Sequence, residues 1–167
     1  MTINYIAFTS TGYPKSINTF TITKNSWHVY LLCDTDLEGY CYFYNDVKQI
    51  KNVEDKKKVQ NALLQLGQRC ESGNPLKEFY DEKKCHEAFT FSLFKHSDNT
   101  QDVWRIRQGD VRIYFIYLPP EKRIILLGVS VKRKDNISEK EKNHLTSLAI
   151  KALEDDLASF NNRVRKL

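Results

Sequence analysis

Residues 103–136 read VWRIRQGDVRIYFIYLPPEKRIILLGVSVKRKDN. Three β-rich segments follow one another there with almost no chain between them. VWRIR (103–107) and VRIYFIYL (111–118) flank Gln108-Gly109-Asp110, which is turn chemistry for a tight hairpin. Pro119-Pro120-Glu121-Lys122 then turns the chain into RIILLGVSV, an unbroken apolar run suited to a central strand with neighbours on both sides. Three consecutive strands of this kind predict an antiparallel meander, closed by the basic knot Lys132-Arg133-Lys134.

Strand alternation sorts the side chains of this stretch. Val103, Arg105 and Arg107 share one face of the first strand, and Trp104 and Ile106 share the other. On the next strand Arg112 and Tyr114 fall together, opposite Ile113, Phe115 and Tyr117. If the Trp104 and Ile106 side packs on helices, three arginines gather on an open face, with Arg112 turned to solvent. Guanidinium groups stay protonated and bind phosphate bidentately, so such a face suits polyanions. Arginine is a poor general base, so catalysis does not follow from these residues alone.

The charge balance points the same way. The chain has 26 basic and 21 acidic residues. Between Val103 and Lys134 lie eight of the basic residues and two of the acidic ones, a net of +6 in 32 residues. The other 135 residues hold 18 basic and 19 acidic side chains, a net of −1. The excess therefore sits in one segment, as expected of a surface for phosphate or an acidic partner.

Working back from the meander, residues 88–95 (AFTFSLFK) read as another strand, and residues 76–87 as a short helix. Val59, Ala62, Leu63, Leu66 and Cys70 recur at three- and four-residue steps and predict a helix over 53–71, with Asn52 as N-cap and Ser72-Gly73-Asn74-Pro75 as its stop. Residues 1–52 read as a β-rich, aromatic extension, with strands at 19–23 and 27–33. Tyr40, Tyr42 and Tyr44 alternate with Cys41 and Phe43, which predicts a hairpin with one tyrosine-rich face, able to pack on the sheet or to stack bases. Beyond the meander, Ser138-Glu139-Lys140-Glu141 has capping-box form, and Leu145, Leu148, Ala149, Ala152, Leu153 and Leu157 give the last helix its apolar stripe. The chain divides into the extension, 1–52, and an α+β domain, 53–167.

At 167 residues and 41% apolar composition the chain can bury a core without staples, and no apolar run approaches a membrane span. The N-terminus lacks the basic start and apolar stretch of a secretory signal. These features predict a soluble, cytoplasmic protein. Cys33, Cys41, Cys70 and Cys85 form no C-x-x-C pair and are spaced too irregularly for zinc, so they read as buried, reduced thiols. Cys85 and His86 could pair as nucleophile and base, but adjacent residues on a strand point to opposite faces.

The ordered set now in view resembles the core of the RelE/ParE superfamily of bacterial toxins. That set is a helix, a strand with alternating basic residues, a Gly-Asp turn, an Arg-aliphatic-aromatic strand, an apolar strand ending in a basic cluster, and a capped helix. The resemblance covers roughly residues 53–157 in arrangement and 103–136 in motif. It implies a small antiparallel-rich sheet packed on helices. It also implies a toxin that cleaves mRNA, usually on the ribosome, and is neutralised by a cognate antitoxin. Cleavage in such enzymes is by attack of the ribose 2′-OH without metal or other cofactor, with basic groups stabilising the phosphate.

Carried over by position, Arg112 would bind the scissile phosphate, with Arg105, Arg107 and Lys134 in the catalytic set. Lys132, Arg133, Lys122 and Arg123 would hold the RNA backbone. The family often places a tyrosine or histidine soon after the basic cluster, where Asp135-Asn136-Ile137-Ser138 offers neither. His144 and Tyr114 are then the candidate acid or base. Two other readings fit the same fold: a ParE-like inhibitor of DNA gyrase, and a non-catalytic binding or immunity module.

Overall fold

The computed structural model describes residues 2–11, 13–14, 20–37, 40–81, 83–93, 99–132 and 136–165. In chain order its elements are β1 (Ile3–Ala7), β2 (His28–Asp34), α1 (Tyr42–Gln49), α2 (Val53–Cys70), β3 (Cys85–Ser92), β4 (Thr100–Gln108), β5 (Val111–Tyr117), β6 (Arg123–Val131), α3 (Glu139–Leu153) and α4 (Leu157–Arg163). The fold is α+β. Six strands form one mixed sheet in the order β1-β2-β6-β5-β4-β3. The β4–β5–β6 meander pairs antiparallel throughout, while β2 lies parallel to β6. The first 52 residues thus supply two strands of the same sheet and a helix that covers it.

The meander follows from its sequence. Gln108 pairs with Val111 across a two-residue loop, and Gly109 takes φ +58, a left-handed conformation that side chains disfavour. β6 is buried from Arg123 through Val129, as a strand flanked on both edges and both faces must be.

Helices cover both faces. On one side Val59, Ala62, Leu63 and Leu66 of α2 pack with Ile106, Ile113, Phe115 and Leu126. On the other, Leu145, Leu148 and Ala149 of α3 and Phe160 of α4 pack with Tyr114, Ile116, Ile125 and Leu127. The arginine-bearing face is therefore not open, as alternation alone suggested. It carries α3 and α4, and only its end beyond the apolar contacts is left to polar side chains.

The caps behave as read. The Asn52 side chain accepts from the backbone N–H groups of Glu54 and Asp55, and Ser138 accepts from that of Glu141. Four other expectations are corrected. Tyr40–Tyr44 is not a strand: Phe43, Val47 and Ile50 recur at helical steps and are buried, and α1 begins at Tyr42. Residues 20–23 carry no strand, Thr19 lying outside the described residues. Residues 76–87 hold only a 3-10 turn at Leu76–Glu78 before β3 begins. The last helix stops at Leu153, and Asp156 caps a separate α4 through Ser159 N–H.

β2 and β6 pair only from His28–Leu31 opposite Arg123–Leu126. Farther along, the edge of β6 is taken by α1: the Asp46 carboxylate accepts from Val129 N–H at 3.2 Å. Burial raises the Asp46 carboxyl above its ordinary value, and the Val129 hydrogen bond works against that rise. Asp46→Ala leaves this strand N–H unpaired and is expected to cost about 1–3 kcal/mol. Asp46→Asn retains an acceptor and is expected to keep most of that stability, as thermal melts of the two variants would show. Among the described residues no helix is long and apolar enough to cross a membrane.

Candidate functional site

The sheet register builds a row of chemistry across three strands. His86 on β3 lies opposite Arg105 on β4, Arg105 opposite Tyr114 on β5, and Tyr114 opposite Gly128 on β6. Glycine leaves the far end of the row without a side chain. Arg105 Nη2 lies 2.7 Å from His86 Nε2, and His86 Nδ1 lies 2.7 Å from the Glu87 carbonyl oxygen. A carbonyl only accepts, so Nδ1 carries the proton. Nε2 then keeps its lone pair and accepts from Arg105. These two contacts fix one tautomer of the ring, with Nε2 turned to the arginine.

Tyr114 is 2% exposed. Burial raises its phenol, and Glu141 adds to the rise, while Ser130, Arg105 and Arg112 oppose it. The hydroxyl is thereby kept protonated, a donor rather than a base. His86, Ala88, Arg105, Tyr114 and Ile137 line a cavity of about 250 Å³. That is below the roughly 300–1,000 Å³ of ordinary small-molecule sites.

Arg112 does not face solvent. It is 1% exposed, and its Nη1 donates to the carbonyls of Gly109 at 2.6 Å and Val111 at 3.2 Å. These bonds tie it to the β4–β5 hairpin, next to the row rather than in it. The cause is the cover on that face, which alternation does not reveal. Arg107 pairs across with Arg112, its Nε donates to the Gly109 carbonyl at 3.4 Å, and the residue borders a separate cavity of about 560 Å³ together with Lys83, Lys84 and Gly109. Lys132 closes the same end of the sheet: its ammonium pairs with Glu141 of α3 and donates to the Asn136 carbonyl.

The remaining basic residues do not join. Lys122 and Arg123 sit at the other end of β6, Arg123 lying five residues, roughly 17 Å, along the strand from Gly128. Arg123 is 3% exposed, donates to the carbonyls of Leu118 and Pro119, and lies 4.4 Å from the Phe160 ring centroid. It is a buried clamp on the turn before β6 and presents no surface to RNA. Lys122 is exposed and reaches the Asn25 carbonyl. His144 is exposed on α3, its ring 6.3 Å from that of Tyr42 and its charge felt by Asp46, so it belongs to the α1 side. Arg133 and Lys134 lie outside the described residues.

The residue that sequence reasoning missed is His86. Its pairing with Cys85 fails for the reason given, since Cys85 packs in the α2-side core. Its partner stands one strand away, at a register that no local spacing encodes. Among the described residues no three His, Cys, Asp or Glu side chains are grouped as metal ligands. No protein-family model matches this chain, and no curated protein matches it.

Proposed function

We propose that the protein is a metal-independent endoribonuclease of the toxin type, acting in the cytoplasm on ribosome-bound mRNA and restrained by a cognate antitoxin. The observation that carries this reading is the row His86–Arg105–Tyr114, an imidazole, a guanidinium and a protonated phenol around one small cavity. The order of helix, meander and capped helix supports it as well.

The chemistry follows from the row. A phosphodiester entering the cavity draws the Arg105 guanidinium to its oxygens, which releases the Nε2 lone pair of His86. The 2′-oxygen of the substrate ribose attacks phosphorus as its proton passes to Nε2. The bond from phosphorus to the 5′-oxygen breaks, leaving a 2′,3′-cyclic phosphate. The departing oxygen, hydrogen-bonded by the Tyr114 hydroxyl, takes a proton from water, and the hydroxide so formed takes the Nε2 proton back from His86. Arg105 offsets the charge that builds on the phosphate. Arg112 acts only as a positioning residue, through the hairpin that carries Arg105's strand.

A second reading has one observation in its favour. Burial of Arg112 removes a phosphate donor, as expected if the fold serves protein binding, either as a ParE-like inhibitor or as a module without catalysis. Induced expression in a bacterial host separates the three, with growth and mRNA integrity followed together. The nuclease arrests growth and cuts mRNA, and His86→Ala lowers cutting about 10²–10⁴-fold at equal protein level. Arrest without cuts supports the inhibitor. Absence of arrest supports the binding module.

A further inference from the structure

Cys33 at the end of β2 and Cys41 just before α1 face each other in an isolated antiparallel bridge. Asp34 N–H donates to the Tyr40 carbonyl at 3.1 Å, which makes the cysteines the non-hydrogen-bonded pair of that short ladder. Such pairs bring their Cα atoms to roughly 4.5 Å. A disulfide spans roughly 4.4–6.8 Å between Cα atoms, so the two sulfurs can bond without moving the chain far.

The two thiols are not equivalent. Cys41 is the N-cap residue of α1, in extended conformation, and its side chain makes no cap hydrogen bond in the resting structure. It lines a cavity of about 500 Å³ together with Tyr13, Tyr44, Lys48 and Lys56. Cys33 lies behind it, 1% exposed. A hydrogen bond from the Cys33 thiol lowers the Cys41 thiol below its ordinary value. Burial opposes this, and the backbone N–H groups of Tyr44 and Phe43 add to the lowering. Cys70 and Cys85 go the other way, burial pushing them up to about 12 and about 11. One cysteine therefore lines an entrance and has a lowered thiol, and a second thiol stands at its back.

We propose that Cys41 is a nucleophilic thiol that reduces small hydroperoxides entering through this cavity, and that Cys33 resolves the product as a Cys33–Cys41 disulfide. The Cys41 sulfur attacks one peroxide oxygen, the O–O bond breaks, and the other oxygen leaves with the proton that the Cys41 thiol gives up, carried by water. The sulfenic acid so formed is attacked by the Cys33 sulfur. The S–S bond forms, and the hydroxyl departs with the Cys33 proton as water. Two thiols and one hydroperoxide give one disulfide, one alcohol (water from hydrogen peroxide) and one water. This site is independent of the arginine row, and no variant used to test it touches that row.

The native protein provides the test. Cys33 and Cys41 lie on one tryptic peptide, 25–48, and Cys70 and Cys85 on two others. Brief iodoacetamide treatment is expected to label Cys41 at least about tenfold faster than Cys70 or Cys85. After equimolar hydrogen peroxide, peptide 25–48 is expected two hydrogen masses lighter and closed to alkylation, with both changes reversed by dithiothreitol. In Cys33→Ser the reaction should stop at a sulfenic acid on Cys41, trapped by dimedone. Labelling of Cys41 no faster than Cys70 and Cys85 overturns the proposal. So does a peroxide-treated peptide 25–48 that retains two free thiols, or a dimedone adduct found on Cys33 of the native protein.

Discussion

Leu126→Asp is expected to leave no folded protein. Leu126 is wholly buried in β6, with β2 on one edge, β5 on the other and the α2-side core above it. An unpaired carboxylate there costs several kcal/mol, a large part of the ~5–15 kcal/mol that holds a domain together. The matched control is Val131→Asp at the end of the same strand, where the side chain is 39% exposed. It should express as a soluble protein with a cooperative melt close to wild type. Circular dichroism and thermal melts of the two variants side by side test the placement of β6. A folded Leu126→Asp would mean that another strand occupies the centre of the sheet.

Arg112→Ala should act on the fold before it acts on any substrate. The guanidinium is buried against the hairpin carbonyls of Gly109 and Val111, so its removal strips hydrogen bonds from both and opens a void. A loss of about 2–4 kcal/mol is expected. For a chain of this size each kcal/mol shifts the melting temperature by about 2–4 °C, so a drop of several degrees or more should be measurable. A phosphate-binding arginine on an open face would behave differently, since its removal would leave the melt unchanged while lowering RNA affinity. An unchanged Tm for Arg112→Ala would return the residue to the binding surface.

Much of the frame was legible because it is written in local chemistry. The hairpin at Gly109, the apolar run of β6, the stripe of α2 and the caps at Asn52 and Ser138 each depend on residues within one or two turns of chain. The errors arise where the deciding partner is distant. The aromatic alternation of Tyr40–Tyr44 spans five residues, and the helical stripe that overrides it appears only when Val47 and Ile50 are counted with Phe43. Alternation placed Arg105, Arg112 and Tyr114 on one face, and the structure agrees. It did not say which face α3 and α4 would cover, because that depends on how the chain returns after β6.

The same limit explains the site. Arg105 was legible as a basic strand residue and Tyr114 as its neighbour on β5. His86 entered only as a failed partner for Cys85, since the β3–β4 register that sets it against Arg105 includes a bulge between Glu87 and Phe89. Lys122 and Arg123 looked like further phosphate ligands because they are basic and near in sequence. The length of β6 carries them to the far end of the sheet, and there Arg123 is used up in holding a turn and a ring.

The claim at the centre of this account is that the His86–Arg105–Tyr114 row cleaves RNA through the ribose 2′-OH. The most direct measurement is the end chemistry of mRNA recovered from a cell-free translation reaction after addition of the purified protein. New 5′-hydroxyl ends matched by 2′,3′-cyclic phosphates are expected, and their loss with His86→Ala protein that melts like wild type. Intact mRNA, or the same cuts at the same rate with His86→Ala, would contradict it.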